Sequence, residues 1–408
     1  MRWAVSAQKS LSKDAVRLMI SHASSGRRIV VNEAPVENAA ASCSSTTSAL
    51  SGQRLQEIRA FERAALPPHR PWRRIDFIRL NLVLWNCARR NRSRASIMPL
   101  PTAHGRDNRK KDVAMPRVSI CIPAYKPDFF EQALKSAIGQ SYGDTEIIVS
   151  DDCPTDAIAN ICERYQQHLS YSRNPKPSEF SNVIRLANLA NGEYIKFLFD
   201  DDILNPFCVQ FLFETLEESR HLGTRLAFSP RYLIDGKNRI TSLVNHFGIA
   251  DETKVIDGGA FIRVTAINHM NLIGEFSSVM FRKEDCFDEI GAFRLFRVDE
   301  DGIFRGILDL SAWIDLAKRG PIIGHPHPLS YFRQHANSTS NHEINPLFIN
   351  GILYYEEVMK MAFEKGYMSR EDLPVSMRRL LNHYGYWQNA YPQLMARIVE
   401  LQAMLAKL

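Results

Sequence analysis

Two groups of aspartates follow directly on apolar, β-branched stretches of the sequence. Asp151 and Asp152 come after the stretch 146–150, and three consecutive aspartates at 200–202 come after the stretch 194–199. Neighbouring carboxylates repel one another and desolvate poorly, so a cation should compensate them, and Mg²⁺ or Mn²⁺ prefers such hard oxygen ligands. A solvated acidic turn before the following helix is the alternative, because the helix dipole also favours carboxylates there. The triple aspartate alone leaves both interpretations open.

The order of the predicted elements indicates how these carboxylates are positioned. From residue 117 onward, short apolar strands alternate with helical segments. The predicted strands are 118–122, 146–150, 168–172 and 194–199, and the predicted helices are 127–140, 155–167, 181–190 and 206–221. Such a β-α-β-α order predicts an α/β fold with a mostly parallel mixed sheet and helices on both faces. Ligands of such sheets bind beyond the carboxyl ends of the strands, where both groups of aspartates fall.

The net charge of the 408 residues is +6, but it is unevenly distributed. Residues 1–115 contain 21 of the 51 basic and 8 of the 45 acidic residues, a net of +13, which leaves −7 for the remainder. This leader is rich in Ser, Ala and Arg and is predicted to be mostly disordered. Its segment 73–90 combines apolar residues with arginines, as in a helix on a membrane surface or a helix docked on the main domain. A third interpretation starts the native chain at Met115.

Composition also disfavours several classes of protein. The seven cysteines are odd in number and show no C-x-x-C spacing, which favours free thiols in the cytoplasm over a disulfide framework or a zinc site. No stretch reaches the roughly 18 apolar residues of a transmembrane helix. Despite the basic leader we expect no nucleic-acid partner, because helix-turn-helix, zinc-finger and RNP patterns are missing. Peripheral contact with the inner face of the cell membrane and the oligomeric state are left open.

Five segments carry motifs whose order and spacing are specific in combination. They are 117–125 (RVSICIPAY), 146–156 (EIIVSDDCPTD), 192–202 (GEYIKFLFDDD), 309–313 (DLSAW) and 329–335 (LSYFRQH). Together they resemble the nucleotide-sugar domain of the family 2 glycosyltransferases, which have the GT-A fold. The resemblance covers residues 116–340. It leaves 341–408 as a helical extension, for which packing, acceptor binding and dimerisation are all open.

The resemblance implies a metal-dependent, inverting transfer from a nucleoside-diphosphate sugar to a hydroxyl of a saccharide or lipid-linked acceptor, as in surface polysaccharide synthesis. It implies Mn²⁺ or Mg²⁺ as the cofactor. The implied nucleotide-sugar contacts are Pro123, Ala124, Tyr125, Asp152, Asp200 and Arg333; the metal ligands are Asp201, Asp202 and His335; the general base is Asp309; and the acceptor contacts are Glu275, Ser277 and Trp313. Which two of the three adjacent aspartates form the metal and ribose pair is left open.

The sequence departs from the family pattern at two acidic positions. Phe199 and Leu308 stand where many relatives have a carboxylate, so a catalytically silent nucleotide-sugar binding module is the alternative function. The assignment of Asp309 depends on Trp313, four residues later, while the acidic residues 299–301 are rivals for the same role. A helix N-cap is the structural alternative for Asp309.

Overall fold

The computed structural model describes residues 116–177, 181–299, 302–303, 307–338 and 340–408. The predicted leader at 1–115, with its segment 73–90, lies outside the described residues. From residue 118 the chain alternates strands and helices in the predicted order, which confirms the α/β class. The boundary at residue 340 between the domain and a C-terminal extension stays a prediction.

An eight-stranded mixed sheet is the largest sheet of the described residues. Its strands are β1 (Val118–Ala124), β2 (Thr145–Asp151), β3 (Ser170–Arg173), β4 (Tyr194–Phe197), β6 (Leu226–Phe228), β9 (Lys254–Ile256), β10 (Val279–Arg282) and β13 (Ile322–Gly324). They lie in the order β3-β2-β1-β4-β10-β6-β13-β9. The strands from β3 to β4 are parallel, and β13 is parallel to β6. β10 runs antiparallel to β4 and β6, and β9 runs antiparallel to β13, which makes the sheet mixed.

Strand β1 is buried along its whole length and is apolar except for Ser119, as expected where helices cover both faces of the sheet. All seven of its residues are buried. Neighbouring residues enter different cores, Ile120 on one face and Cys121 on the other. At the carboxyl ends, Ala124 of β1 lies in register with Asp151 of β2. The edge at which ligands are expected is therefore the edge that carries the aspartates.

Four helices connect the first strands. They are α1 (Pro127–Ile138), α2 (Ala157–Glu163), α3 (Ser181–Leu189) and α4 (Cys208–Glu218). Helix α1 begins at Pro127, where the missing N–H costs no hydrogen bond, and Asp128 complements the helix dipole in the same turn. It buries Phe130 and Leu134, which lie four residues apart on one face of the helix. This helix therefore starts beside the ligand-binding edge and packs back along the sheet.

A four-stranded sheet brings the C-terminal motif to the aspartates. Its strands are β5 (Ile203–Leu204), β7 (Arg231–Asp235), β8 (Ile240–Val244) and β14 (Ser330–Gln334), in the order β5-β14-β7-β8. β5 begins directly after Asp202, and β14 pairs with it antiparallel, with Tyr331 opposite Ile203. Arg333 and His335 therefore continue past β5 towards the three aspartates. A short ribbon of β11 (Arg297–Asp299) and β12 (Gly302–Ile303) comes before the next helix.

Five further helices complete the described part of the chain. They are α5 (Gly258–Asn268), α6 (Leu308–Arg319), α7 (Phe348–Glu364), α8 (Asp372–Trp387) and α9 (Leu394–Leu405). They share one hydrophobic core with a face of the large sheet, in which Trp313 and Tyr384 are fully buried. Arg263 of α5 donates two hydrogen bonds, of 2.8 and 2.7 Å, to the Asp372 carboxylate at the start of α8. Within the described ranges, no helix has both the length and the apolar character needed to cross a membrane.

Candidate active site

The acidic loop after β4 is held against the end of β1. Oδ2 of Asp200 accepts hydrogen bonds from the backbone N–H groups of Tyr125 (2.7 Å) and Lys126 (2.6 Å). Burial and the negative charge of Asp201 raise the pKa of Asp200 to about 7, although the two donors oppose this shift. Asp200 is only 8% exposed. Its main effect is therefore to fix the segment that carries Tyr125, and little of its surface is left for the predicted nucleotide contact.

Asp201 and His335 lie side by side at this edge. Oδ2 of Asp201 is 3.0 Å from Nε2 of His335, and both side chains are partly exposed. Adjacent ligands of an octahedral ion with bonds of about 2.1 Å are about 3.0 Å apart, so the pair fits one edge of such a coordination sphere. Among the described residues no group of three or more His, Cys, Asp or Glu side chains could hold a metal ion. An ion held by this pair would therefore need further ligands from substrate phosphates and water, as Mg²⁺ commonly does.

Asp202 is turned away from this pair and into the protein. It is 1% exposed, and its Oδ1 accepts a hydrogen bond from the backbone N–H of Arg333 at 3.0 Å. Burial and the charge of Asp201 raise its pKa well above the usual range, although a hydrogen bond from Ser277 opposes this. The predicted metal contact of Asp202 stays a prediction, and in this structure the enclosed carboxylate offers almost no surface for it. Asp202 instead ties β14 to the acidic loop.

Ser277 and a buried lysine hold the other side of the acidic loop. Nζ of Lys196 donates to the carbonyl oxygens of Ser277 (2.6 Å) and Phe197 (3.1 Å), and burial lowers the pKa of this lysine. Oγ of Ser277 accepts the backbone N–H of Phe199 at 3.1 Å. Ser277 is only 2% exposed. Its predicted acceptor contact stays a prediction; in this structure Ser277 joins the acidic loop to the segment before β10.

Arg333 is fully enclosed, with no exposed surface. Its hydrogen bonds run to the carbonyl oxygen of Asp201 (2.7 Å), the carbonyl oxygen of Asp235 (3.1 Å), Oδ1 of Asn238 (2.5 Å) and Oε1 of Gln132 (3.3 Å). The guanidinium also lies 4.2 Å from the centre of the Phe129 ring. The predicted nucleotide-sugar contact of Arg333 stays a prediction, for which the guanidinium has no exposed surface in this structure. Arg333 positions the peptide of Asp201.

The two aspartates after β2 have different surroundings. Asp151 is fully buried and accepts hydrogen bonds from the Cys153 N–H and the Tyr171 hydroxyl, both at 2.7 Å. The N–H of Asp152 donates to the carbonyl oxygen of Ala124 at 2.8 Å. Burial raises the pKa of Asp152, and its enclosed Oδ1 has no hydrogen-bond partner in the described part of the chain. Asp152, and not Asp151, therefore has an acceptor atom to offer a ligand.

The predicted pocket wall at the end of β1 is only partly open. Pro123 and Ala124 are buried, while Tyr125 is 56% exposed. Ala124 acts through its carbonyl oxygen, which accepts the Asp152 N–H. Of the three predicted wall residues, Tyr125 is therefore the one whose side chain can contact a nucleotide.

Asp309 is half-buried and lies in the first turn of α6. The N-cap is Ile307, so the N-cap alternative for Asp309 does not hold. Oδ1 accepts the N–H of Leu310 at 2.7 Å, and Oδ2 accepts an amide hydrogen of Asn271 at 3.0 Å. Burial and the negative charge of Glu275 raise the pKa of Asp309 to about 7. Such a carboxylate can accept a proton near neutral pH; the rival side chains at 299–301 lie outside what the structure describes.

Glu275 is close to both Asp202 and Asp309. It forms an ion pair with Arg231, whose guanidinium also donates a hydrogen bond of 3.1 Å to Oε1. Its charge raises the pKa values of both Asp202 and Asp309, and its side chain is 25% exposed. Trp313 is fully buried and donates from Nε1 to the carbonyl oxygen of Gly274 at 2.8 Å. Both predicted acceptor contacts stay predictions: Trp313 has no exposed surface for one in this structure, whereas Glu275 retains some.

The Arg231 guanidinium lies against the backbone of Gly274, and this gives a testable prediction. Gly274 has φ +99°, and a Cβ at this position would lie 2.2 Å from Cζ of Arg231. We expect Gly274→Ala to lower the free energy of unfolding by about 2 kcal/mol or more, because it adds left-handed backbone strain and displaces a buried ion pair. Gly143→Ala is the control, since no atom lies within 4 Å of its added Cβ. Urea unfolding compares the two, and equal losses would contradict the close packing.

Sequence reasoning missed Arg231 and Asn271. The spacing Asn-x-x-Gly at 271–274 is a signal for a turn, and Oδ1 of Asn271 does accept the N–H of Gly274 at 3.0 Å. No sequence signal indicates that the same side chain also contacts Asp309, 38 positions away. Such long-range contacts depend on how the elements pack.

Comparison with known proteins gives a family match for part of the chain. Residues 119–301 match the family described as Glycosyl transferase family 2. The chain is 31% identical over 110 residues to GalNAc(5)-diNAcBac-PP-undecaprenol beta-1,3-glucosyltransferase of Campylobacter jejuni, covering 26% of this chain and 36% of the relative. It is 37% identical over 84 residues to dTDP-rhamnosyl transferase RfbG of Shigella flexneri, covering 18% and 29%. The alignments thus span about a third of each relative.

Among solved structures, one that the chain aligns with is S. aureus TarS 1–349 in complex with UDP. The TM-score is 0.40 at 15% sequence identity, with 66% of this chain and 80% of that chain covered. The family match, together with the named glycosyltransferase relatives, places the segment 119–301 in glycosyl transferase family 2. The predicted family is thereby confirmed.

Proposed function

We propose that the protein is a metal-dependent, inverting glycosyltransferase that moves a sugar from a nucleoside-diphosphate sugar to a hydroxyl of a saccharide or lipid-linked acceptor. One observation carries the proposal. A family 2 domain presents the partly exposed Asp201–His335 pair at the carboxyl edge of its sheet. It also presents a half-buried Asp309, whose pKa burial raises to about 7 and which shares with Asp202 the influence of Glu275. These are the groups that binding a diphosphate and activating a hydroxyl require.

The donor nucleotide has two candidate partners at the ends of β1 and β2. Tyr125 offers an exposed aromatic face for stacking on a base, and Asp152 offers an acceptor oxygen without a protein partner among the described residues. Stacking between a base and an aromatic ring contributes about 1–3 kcal/mol in other proteins. Asp200, which holds the backbone after β1, keeps Tyr125 in place.

Asp201 and His335 are the residues that would hold Mn²⁺ or Mg²⁺. When bound, the ion supplies positive charge that stabilises the departing diphosphate. Arg333 contributes indirectly, since its Nε holds the carbonyl oxygen of Asp201. Asp202 contributes in the same indirect way, through the backbone of Arg333.

Asp309 is the proposed general base. The acceptor oxygen forms a bond to the anomeric carbon while the bond from that carbon to the diphosphate oxygen breaks, and the nucleoside diphosphate leaves with the electron pair. The acceptor proton passes to the Asp309 carboxylate. One displacement of this kind inverts the anomeric configuration. An alcohol has a pKa far above 7, so the reaction needs a base that is positioned near the hydroxyl and at least partly ionised at neutral pH.

The acceptor class and the location extend the proposal. The C. jejuni relative is named for a PP-undecaprenol substrate, which supports a lipid-linked or saccharide acceptor in surface polysaccharide synthesis. We place the reaction in the cytoplasm, with peripheral contact at the inner face of the membrane. Five free, buried cysteines among the described residues support a reducing compartment.

Donor and metal binding can be tested before any acceptor is known. We expect UDP-glucose, UDP-N-acetylglucosamine or dTDP-rhamnose to raise the melting temperature in the presence of Mn²⁺. A ligand at a hundred times its Kd adds about 2.7 kcal/mol of stability, which amounts to several degrees. Asp201→Ala should abolish the Mn²⁺-dependent part of the shift, because it removes one of the two protein ligands. Thermal-shift measurements of both proteins with and without Mn²⁺ check this.

The control for this experiment is Asp251→Ala. Asp251 is an exposed aspartate outside the site, so its variant should show the wild-type shift. An Mn²⁺-dependent shift that survives in Asp201→Ala would contradict the proposed metal site. A donor shift that is identical in EDTA would contradict metal dependence.

A further inference from the structure

The loop between α5 and β10 joins the C-terminal helices to Asp309. It begins at His269, which ends α5 in the left-handed conformation with φ 51° and is 6% exposed. Its Nε2 is 2.9 Å from the carbonyl oxygen of Ser376 in α8, and its ring meets the edge of Tyr355 in α7. Helices α7 and α8 therefore fix the point from which the loop departs.

Asn271, two residues further on, has both ends of its amide engaged. Oδ1 accepts the N–H of Gly274 at 3.0 Å, while Nδ2 donates to Oδ2 of Asp309 at 3.0 Å and to the carbonyl oxygen of Gly274 at 3.3 Å. The loop thus prevents the amide from turning, and the amide in turn aims its N–H at one carboxylate oxygen. Each oxygen of Asp309 carries two lone pairs and accepts one hydrogen bond from the described residues, so one lone pair of each oxygen stays free of those donors and can meet an acceptor hydroxyl.

Tyr355 of α7 lies close to both Asn271 and Asp309. Burial and the nearby charge of Asp309 raise the pKa of the Tyr355 phenol, and the backbone of Asn271 is close enough to oppose this shift. Tyr355 is 9% exposed, so it contributes packing and orientation and offers little surface to a ligand. Within the described ranges, the charged groups that face Asp309 are Glu275 and Arg231, and they pair with each other.

We propose that Asn271 is a positioning residue for the Asp309 carboxylate, and that Tyr355 of the C-terminal helices holds Asn271 in place. The catalytic meaning of this inference rests on the proposed function, but the contact itself does not. In this account the C-terminal helices are part of the machinery that orients the base. Removing the amide donor should make the ionised form of Asp309 less favourable and leave donor binding unchanged.

The test measures Asp309 directly. In protein labelled with ¹³C at the aspartate carboxyl carbons, the Asp309 signal is identified by its absence in Asp309→Asn, and its titration is followed by NMR. The wild-type midpoint is expected near the pKa of about 7. In Asn271→Ala it should move upward by about one pH unit, the effect of losing one hydrogen bond to a charged group. Tyr355→Phe, which retains the ring, should move it in the same direction by less.

The control and the kinetic readout separate the two proposals. Asn188→Ala removes an exposed amide that bonds only within α3, and it should leave the midpoint unchanged. With a donor that the wild type turns over, Asn271→Ala should lower kcat about tenfold, leave KM for the donor unchanged, and shift the acidic limb of the pH profile upward. Unchanged midpoints in both Asn271→Ala and Tyr355→Phe would overturn the inference. If wild type turns over none of the three donors, the proposed function fails while the NMR titration still decides the role of Asn271.

Discussion

Asp309→Asn should lower kcat for sugar transfer by about 10²–10⁴-fold, the usual contribution of a general base, while the KM for the donor stays near its wild-type value. The amide has nearly the shape of the carboxylate and can still accept from the N–H of Leu310. It cannot take a proton from an acceptor hydroxyl. Steady-state kinetics with any donor that the wild type accepts will measure the effect.

The same assignment fixes the direction of the pH dependence. Burial and Glu275 raise the pKa of Asp309 to about 7, and a base works only in its ionised form. The rate should therefore be half-maximal near pH 7 and fall about tenfold for each pH unit below it. The residual activity of Asp309→Asn should not show this decrease below pH 7.

The matched control is Asp144→Asn. Asp144 is exposed and precedes β2, at the edge of the sheet opposite the site, so its variant should retain the wild-type rate and pH profile. If Asp309→Asn keeps at least a tenth of the wild-type kcat, Asp309 is not the base, and the acidic residues at 299–301 become the next candidates.

Arg333→Met should lower the free energy of unfolding by about 3–5 kcal/mol, the usual cost of removing one partner from a buried charged network. The guanidinium is fully enclosed and bonds the carbonyl oxygens of Asp201 and Asp235. Methionine fills much of the volume but leaves these acceptors unsatisfied in the interior. Urea or guanidinium unfolding of the two proteins measures the difference.

A surface arginine provides the comparison for this prediction. Arg164 pairs with Glu131 but is 57% exposed, so Arg164→Met should cost less than about 1 kcal/mol. The loss in the free energy of unfolding for Arg333→Lys should fall between those of the two methionine variants. A single ammonium group cannot reach all the acceptors that the planar guanidinium bridges. A loss in Arg333→Met no larger than in Arg164→Met would show that the network is not structural.

The fold was predictable because its signals are local. The apolar strand at 118–122, the proline that starts α1 and the acidic ends of β2 and β4 each depend on a few neighbouring residues. Parallel strands buried on both faces show up as continuous apolar runs, so the α/β order could be determined from the sequence. The carboxyl edge then followed from strand direction alone.

The separate roles of the site residues were less predictable. Asp200, Asp201 and Asp202 are adjacent in sequence, yet one holds the backbone of Tyr125, one meets His335 and one ties down Arg333. Sequence reasoning named all three but could not assign these parts, because they depend on which way each carboxylate turns in the loop.

The burial of several site residues also could not be predicted from the sequence. Arg333, Ser277 and Trp313 are residue types that often touch substrates, and each was predicted to do so. Exposure of 0%, 2% and 0%, respectively, shows that all three are enclosed by other residues of the protein in this structure. Burial of a polar side chain is a property of the assembled fold, since it depends on contacts such as those of Arg333 with Gln132 and Phe129.

Release of nucleoside diphosphate by the wild-type protein tests the proposed sugar transfer most directly. UDP-glucose, UDP-N-acetylglucosamine and dTDP-rhamnose are each incubated with Mn²⁺ or with EDTA, with saccharide and polyprenyl-diphosphate acceptors added in turn. We expect release from at least one donor that requires the divalent ion and increases with an acceptor. Tight Mn²⁺-dependent binding without release from any donor would contradict it and would favour a silent nucleotide-sugar binding module.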